Sequence, residues 1–284
     1  MGTSSYIYAA TNEDIQNYQS VQKDTRTIDA NQWAQSFALG LADDFDLRLG
    51  ETWILSQDNT TPVGAATETT YSQGPVDPTV GATLRVIDDE EHDEAQEHFN
   101  WDWIANYSPN LFQDRAASST DDGTNGRGGQ SASVGTALSW VIPSFTLYTE
   151  YLATYLDDRD TTNANATTTD YGSYWQDSLG LNTQTRFGDR VSLNLGVTGY
   201  WNGDFSGQNQ NTGAAFVVGG GNEIAVNAAL NFQIAPDVFV LSLTYGNDTY
   251  SSRSYAYGSN PTESTTTTNE DTNLIGARFE YVFL

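Results

Sequence analysis

The stretch 222–250 constrains the fold more than any other part of the chain, because apolar residues occupy every second position in it. Its first arm carries Ile224, Val226, Ala228, Leu230, Phe232 and Ile234, with small or polar residues between them. Ala235-Pro236-Asp237 then predicts a tight turn, after which Phe239, Leu241, Leu243 and Tyr245 resume the pattern. Since side chains alternate between the two faces of a strand, this period of two predicts a β-hairpin with one apolar face.

The same unit of about ten residues recurs along the whole chain with no helical pattern between the copies. Short turns, such as Asp43-Asp44, Pro143-Ser144 and Gly188-Asp189, alternate with long polar connections. The predicted long loops are 13–31, 58–78, 108–130, 157–170, 203–221 and 251–271. Alternating loop lengths predict an all-β protein, a transmembrane antiparallel up-and-down β-barrel of about 12 strands, as a single domain over residues 1–284. The alternative is a soluble β-sandwich with an aromatic core.

All seven tryptophans fall on the apolar parity of their predicted strands: Trp33, Trp53, Trp101, Trp103, Trp140, Trp175 and Trp201. Many other aromatic residues on that parity lie near strand ends, with aliphatic residues between them. Two aromatic belts around an apolar band are typical of transmembrane barrels, whose tryptophans lie at the membrane interfaces. We therefore expect the seven tryptophans to form lipid-facing girdles.

Charge and composition exclude several classes of protein. The net charge is −26 with only 11 basic residues, and a nucleic-acid partner requires a basic face. Cysteine is absent, so neither disulfides nor thiolate metal sites are expected. No run of 18 apolar residues predicts a transmembrane helix. Residues 1–5 do not resemble a signal peptide, and we expect the mature form of a protein of the Gram-negative bacterial outer membrane, surrounded by lipid and lipopolysaccharide.

The last strand of the chain carries an alternating apolar series that ends near the C-terminus. Its members are Ile275, Ala277, Phe279, Tyr281 and Phe283, and Leu284 follows them. The series resembles the C-terminal sorting signal of outer-membrane proteins, which implies recognition by the barrel assembly machinery.

A family resemblance rests on the segment from Asp77 to Asp88, which reads DPTVGATLRVID, and on Tyr107-Ser108-Pro109. The strand pair around Leu39-Gly40-Leu41-Ala42-Asp43 and the later strand series fit the same outline. These features resemble the outer-membrane proteins linked to the meta-pathway of phenol degradation, described as aromatic-compound transporters. The resemblance implies a barrel and the passage of small hydrophobic or aromatic molecules, and it implies no catalytic residue.

The sequence offers little for catalysis or for metal binding. The only histidines, His92 and His98, lie beside an acidic connector, and no Gly-x-Ser-x-Gly nucleophile motif is present. The acidic run itself lacks the spacing of a calcium-binding loop. We expect a protein that is not an enzyme and that carries no cofactor and no metal.

Seven charged residues share the opposite, inward parity near the short-turn ends of their strands. They are Asp46, Arg48, Arg85, Asp102, Arg186, Arg278 and Glu280. Buried arginines require partners, and these carboxylates can supply them. We predict one layer of arginine–carboxylate pairs that forms a lumen constriction, and the alternative is that the pairs brace a closed lumen.

Glu51 is an exception to the pattern, because strict alternation from Leu47 and Leu49 directs it towards lipid. An unpaired carboxylate is costly there. We expect a bulge at Gly50 that turns Glu51 inward, and the alternative is contact with another protein.

Two functions follow from this interpretation. The first is passive passage of small solutes, with hydrophobic or aromatic compounds as the class that the resemblance implies. The second is a structural or surface-assembly barrel with a plugged lumen, whose external loops bind a protein partner.

Overall fold

The computed structural model of the protein describes residues 1–17, 23–63, 66–88, 97–112, 114–115, 124–125, 129–162, 168–235, 239–251, 253–257 and 265–281. The predicted turn at Pro236-Asp237, the acidic connector with His92, and the terminal pair Phe283 and Leu284 lie outside these ranges. No helix in the described ranges is long and apolar enough to cross a membrane.

Twelve strands of the described chain form the wall of a closed antiparallel barrel. They are β1 (Gly2–Asn17), β2 (Lys23–Ala42), β3 (Phe45–Val63), β4 (Ala66–Asp88), β5 (His98–Ser108), β8 (Ser131–Ile142), β9 (Phe145–Leu156), β12 (Tyr174–Arg186), β13 (Val191–Asn202), β16 (Asn222–Ala235), β17 (Phe239–Tyr250) and β19 (Thr265–Tyr281). Each wall strand pairs with the next one along the chain, and β19 pairs with β1 to close the ring. The predicted up-and-down barrel of about 12 strands is confirmed.

The two faces of the wall differ as the alternation predicts. Large apolar side chains point out of the barrel, and Leu195 and Leu243 each remain 50% exposed. The opposite parity carries small or polar residues, of which Ala137 is 2% exposed and Ser242 is 6% exposed. Because an exposed aliphatic belt is unfavourable in water, this arrangement suits a barrel surrounded by hydrocarbon.

Two of the predicted short connections are tight turns, and a third contains a left-handed residue. Turns at Asp43-Asp44 and at Pro143-Ser144 join their strands directly. Gly188 lies between β12 and β13 with a φ of 75°, which favours glycine because a Cβ would be strained there. These turns mark what we call the short-turn end of the barrel, and the long connections leave from the long-loop end.

Strand pairing extends well into the segments predicted as long loops. β2 has 20 residues and β4 has 23, whereas about 9–11 residues cross a bilayer. The upper parts of these strands therefore project beyond the apolar band. They were predicted as loops because a strand outside the bilayer requires no apolar face.

In the described ranges, seven short strands continue the wall at the long-loop end, and we call them the outer collar. They are β6 (Asp114–Arg115), β7 (Thr124–Asn125), β10 (Arg159–Thr162), β11 (Thr168–Tyr171), β14 (Phe205–Asn209), β15 (Ala215–Val218) and β18 (Arg253–Tyr257). They pair in the order β7, β6, β10, β11, β14, β15 and β18, and β18 joins β19. The predicted loops 108–130, 157–170, 203–221 and 251–271 thus all contribute strands to this collar.

The β3–β4 ladder is irregular between Gly50 and Thr52, but the prediction that a bulge at Gly50 turns Glu51 inward is wrong. Gly50 and Glu51 pair regularly with Ser36 and Gln35 on β2. The extra residue lies on β4 instead, where Asp77 and Pro78 stand opposite Glu51. A bulge on the neighbouring strand leaves the parity of β3 unchanged, so Glu51 remains on the outward face.

Glu51 is nevertheless partnered on that face. Its Oε1 accepts a hydrogen bond of 2.8 Å from the indole Nε1 of Trp53, two residues further along the same strand. Both side chains are exposed. The hydrogen bond from the Trp53 indole and the position of Glu51 towards the long-loop end lower the free-energy cost of a carboxylate on the apolar face.

Candidate functional site

The inner faces of the wall strands enclose a lumen that contains three neighbouring cavities. Their volumes are about 600, 530 and 330 Å³. Arg278 on β19 lines all three of them. Its neighbours in register are the short side chains Ser5 and Ser242, which leave space for the guanidinium over the inner wall. Arg278 is therefore the residue at which the cavities meet.

The largest of these three cavities lies at the short-turn end, where β12, β13, β16, β17 and β19 form its wall. Its charged lining consists of Arg186, Arg190, Arg278, Asp189 and Glu280. Arg278 donates from Nη2 to Oε2 of Glu280 at 2.8 Å. Three guanidinium groups and two carboxylates leave this lining with an excess of one positive charge. The excess is local, because the whole chain carries a net charge of −26.

The second cavity has a different lining. Ile7, Leu274, Ala229 and the ring of Tyr148 contribute apolar surface. Asparagine amides complete the wall, and they come from Asn182, Asn194 and Asn227. The second cavity therefore combines an apolar surface with hydrogen-bonding groups, and Arg278 borders it.

Gly196 determines how closely two of these amides approach each other. It lies between Asn182 and Asn227 in register on adjacent strands. A Cβ at this position would collide with both amide groups. The side chains of Asn182 and Asn227 thus lean over the glycine, which brings their donors and acceptors together on the inner wall.

A second charged cluster lies on β3, β4, β5 and β9. Nε of Arg85 is 3.1 Å from Oδ1 of Asp102, and the Tyr148 hydroxyl donates to Oε2 of Glu150 at 2.6 Å. Asp102 and Glu150 flank the small Ala137 in register. Arg48 and Asp102 are both electrostatic neighbours of the Tyr148 hydroxyl. The carboxylates of this cluster are thus hydrogen-bonded by groups of the same wall.

Backbone hydrogen bonds fix the depth of two predicted arginines. Arg85 N donates to Asp44 O at 2.8 Å, and Arg186 N donates to Ser144 O at 2.9 Å. Both acceptors belong to short turns, which places these arginines at the short-turn end. Asp46 lies two residues after the Asp43-Asp44 turn, and its carboxylate lies over Gly40.

Five of the seven predicted constriction residues fall into two groups. Arg186, Arg278 and Glu280 line the largest cavity, whereas Arg85 and Asp102 pair on another part of the wall. A single constriction layer stays a prediction. Sequence reasoning missed Tyr148, Glu150 and Arg190, although the inward parity of Tyr148 and Glu150 on β9 was available as a signal.

The seven tryptophans lie on the outward parity, as their strand positions predict. Five of them are exposed: Trp53, Trp103, Trp140, Trp175 and Trp201. Trp33 donates to the Ser4 hydroxyl at 3.0 Å, and Trp101 donates to Thr136 at 2.6 Å. Their contact with lipid interfaces stays a prediction.

The outer collar contains a compact aromatic cluster. Phe205, Phe216 and Val218 are buried, with Val218 at 0% exposure, and Tyr171 and Tyr174 pack against them. The Tyr174 and Phe205 rings stack with centroids 4.9 Å apart, and Tyr171 meets Phe216 edge-on at 5.6 Å. Because these rings hold three collar strands together, they stabilise the collar independently of the bilayer.

Two carboxyl groups face each other on the collar. Asp160 on β10 is the register partner of Asp170 on β11, and Asp170 also accepts from the Gln210 amide. The hydrogen bond that Asp160 shares with Asp170 raises the pKa of Asp160 above its usual range. The pair is therefore stabilised by a shared proton and repels when both groups are ionised.

The described residues show no clustering of groups for metal binding. Among them, no group of three or more His, Cys, Asp and Glu side chains could hold a metal ion. His98 begins β5, and its Nδ1 is buried without a hydrogen-bond partner in the described structure.

Comparison with known proteins identifies solved structures with a related fold. No protein-family model matches the sequence, and no curated protein sequence matches it either. An outer membrane channel from Pseudomonas putida F1 is similar, with 11% identity, a TM-score of 0.56, and coverage of 98% of this chain and 94% of that chain. The transport unit of the autotransporter AIDA-I from Escherichia coli is similar too, with 11% identity, a TM-score of 0.52, and coverage of 99% and 90%. Both comparisons support the fold of an outer-membrane β-barrel.

Proposed function

We propose that this protein is a non-enzymatic outer-membrane channel through which small solutes pass passively. One observation carries the proposal. A closed twelve-stranded wall encloses cavities of about 600, 530 and 330 Å³ that meet at one side chain, Arg278. Twelve strands make a lumen wider than an eight-stranded barrel, which side chains fill, and narrower than that of a sixteen-stranded porin.

The proposal includes the location and surroundings of the barrel. Lipid and lipopolysaccharide cover the apolar outer face, with the tryptophan girdles at the two interfaces. The barrel assembly machinery recognises the C-terminal strand β19. Hydrophobic or aromatic compounds are the proposed solutes, in keeping with the sequence resemblance, and the apolar part of the second cavity supports this class.

Single-channel conductance of the purified protein in planar bilayers tests the proposal, together with swelling of liposomes in small neutral sugars. We expect stable steps of current and size-dependent swelling. Correctly folded protein that inserts into bilayers but gives neither current nor swelling would contradict a passive channel.

A second function is favoured by the outer collar. Seven short strands and a buried aromatic cluster make this region more ordered than simple connecting loops require. Such a surface suits a structural barrel with a closed lumen that binds a protein partner at the cell surface. Single-channel recordings distinguish the two functions, because a closed lumen carries no current, whereas a channel should keep its conductance even in a Phe216→Ala variant that disturbs the collar.

A further inference from the structure

We propose that the lumen binds small amphipathic anions, meaning solutes with one carboxylate and an apolar body, of which an aromatic carboxylate is an example. The inference rests on the proposed channel function and specifies its substrate class. Its basis is the juxtaposition of an arginine-lined cavity and a partly apolar cavity on either side of Arg278.

The carboxylate half of the site is the largest cavity. Arg186, Arg190 and Arg278 supply three guanidinium groups there, and Asp189 and Glu280 supply two carboxylates. Arginine binds carboxylates through parallel N–H groups in a planar geometry. Glu280 engages the Nη2 group of Arg278, and 45% of the Arg278 side chain remains exposed. An incoming carboxylate can therefore share this guanidinium with Glu280.

The apolar half of the site begins on the same strand. Leu274 and Arg278 share the inward face of β19, four residues apart, which corresponds to about 13 Å between their Cα atoms. Gly276 lies between them, and its neighbours Ile7 and Thr244 close in above it. An apolar body that extends from a carboxylate at Arg278 thus reaches Ile7 and Leu274, both of which line the second cavity.

The carboxylates of the second charged cluster are hydrogen-bonded on their own part of the wall. Asp102 is paired with Arg85 at 3.1 Å, and Glu150 accepts from the Tyr148 hydroxyl. The lining of the cavity beside Arg278 itself carries three guanidinium groups against two carboxylates, so the excess charge that a solute meets there is positive. A neutral apolar solute makes only the apolar contact with Ile7 and Leu274. A simple anion makes only the ionic contact with the Arg278 guanidinium.

The test compares three salts in single-channel recordings at pH 7. Benzoate carries a ring and a negative charge, acetate carries the charge without the ring, and benzyltrimethylammonium carries the ring with a positive charge. We expect benzoate to block the chloride current transiently, with dwell times several-fold longer than those of acetate. Benzyltrimethylammonium should cause no such block. Equal blocks by benzoate and benzyltrimethylammonium, or none by benzoate, would overturn the proposal.

Matched variants assign the effect to the two halves of the site. Arg278→Gln should abolish the benzoate block, and Arg278→Lys should restore part of it because the charge returns without the planar fork. Leu274→Asn should shorten the benzoate dwell time to that of acetate and leave acetate unchanged. Arg159→Gln, on the outer collar, is the control and should leave every dwell time unchanged. A benzoate block that survives Arg278→Gln would refute the site.

The failure of this inference is distinguishable from failure of the channel function. If no salt carries current, the proposed function is contradicted, and calorimetric titration of benzoate into the detergent-solubilised protein still tests the site. Heat of binding that is lost in Arg278→Gln would support the site in a closed barrel. No heat of binding to folded wild-type protein would overturn it.

Discussion

At the scale of single residues, the direction of a side chain relative to the wall decides what a substitution costs. Leu193 lies on the outward parity of β13, and Asn194 lines the lumen cavities. An arginine at a mid-strand lipid-facing position costs about 2–4 kcal/mol. We expect Leu193→Arg to lower the free energy of unfolding by this amount and Asn194→Arg to have little effect, as measured by denaturant titration in lipid vesicles. A harmless Leu193→Arg beside a severe Asn194→Leu would mean that the faces are inverted.

Glu51 offers a second test at this scale. Its carboxylate lies on the apolar face and is held by the Trp53 indole. If lipid surrounds this face, Glu51→Leu should raise the free energy of unfolding, by less than about 1 kcal/mol since carboxylates near the interface cost little. The same titration in vesicles measures the change. A clear loss of stability or a change in oligomeric state would indicate that Glu51 contacts another protein.

At the scale of structural elements, the Asp77 side chain on β4 is hydrogen-bonded to the start of the long connection that follows β5. Its side chain is only 6% exposed, and Oδ1 accepts the backbone N–H groups of Leu111 and Phe112, each at 2.8 Å. Hydrogen bonds to a charged group stabilise by roughly 1.5–3 kcal/mol. Asp77→Ala should therefore accelerate hydrogen exchange at both amides, while Asp77→Asn, which keeps an acceptor oxygen, should have a smaller effect. Unchanged exchange in a folded Asp77→Ala barrel would contradict this anchoring role.

The outer collar should respond to pH through its facing carboxyl groups. The pKa of Asp160 is raised by the hydrogen bond shared with Asp170, so the folded collar binds this proton more tightly than the unfolded chain does. The stabilisation is fully present below the ordinary pKa of 3.8 and is lost as the pH rises through the raised value. Hydrogen exchange of β10 and β11, corrected for intrinsic rates, should show greater protection at low pH.

Asp160→Asn provides the control for the pH experiment. The amide can donate to Asp170 at every pH, so protection of β10 and β11 should become nearly independent of pH in the acidic range. If the wild-type collar is instead less protected at low pH, another titrating group dominates and the shared proton has no stabilising role.

At the scale of the whole molecule, alternation in the sequence was sufficient to predict the barrel and its strand number. Every second residue of a wall strand is apolar because it faces the hydrocarbon of the bilayer, while its neighbours face the lumen. Leu193 and Asn194 illustrate the two directions. Beyond the bilayer this requirement disappears, so the sequence could not reveal that Thr25 and Thr266 belong to paired strands.

The candidate site was predictable in part for a similar reason. Parity placed Arg85, Asp102 and Arg278 on the inner face, and the structure pairs Arg85 with Asp102. The pairing of Arg278 with Glu280 on its own strand, rather than with a carboxylate across the lumen, depends on rotamers that alternation does not specify. The bulge at Asp77-Pro78 was missed because a bulge shifts one strand against its neighbour and leaves the parity of that neighbour intact.

The aperture of the whole barrel can be tested by removing arginines from its lumen. If arginine–carboxylate pairs narrow the short-turn end, replacement of Arg85 and Arg278 by alanine should widen the lumen and raise the single-channel conductance. Removal of the arginines alone leaves Asp102 and Glu280 without their partners, so a second variant that also carries Asp102→Ala and Glu280→Ala keeps the charge balanced and protects the fold. Arg159→Ala on the outer collar is the control and should leave the conductance unchanged. Unchanged conductance in both folded lumen variants would place the constriction elsewhere in the barrel.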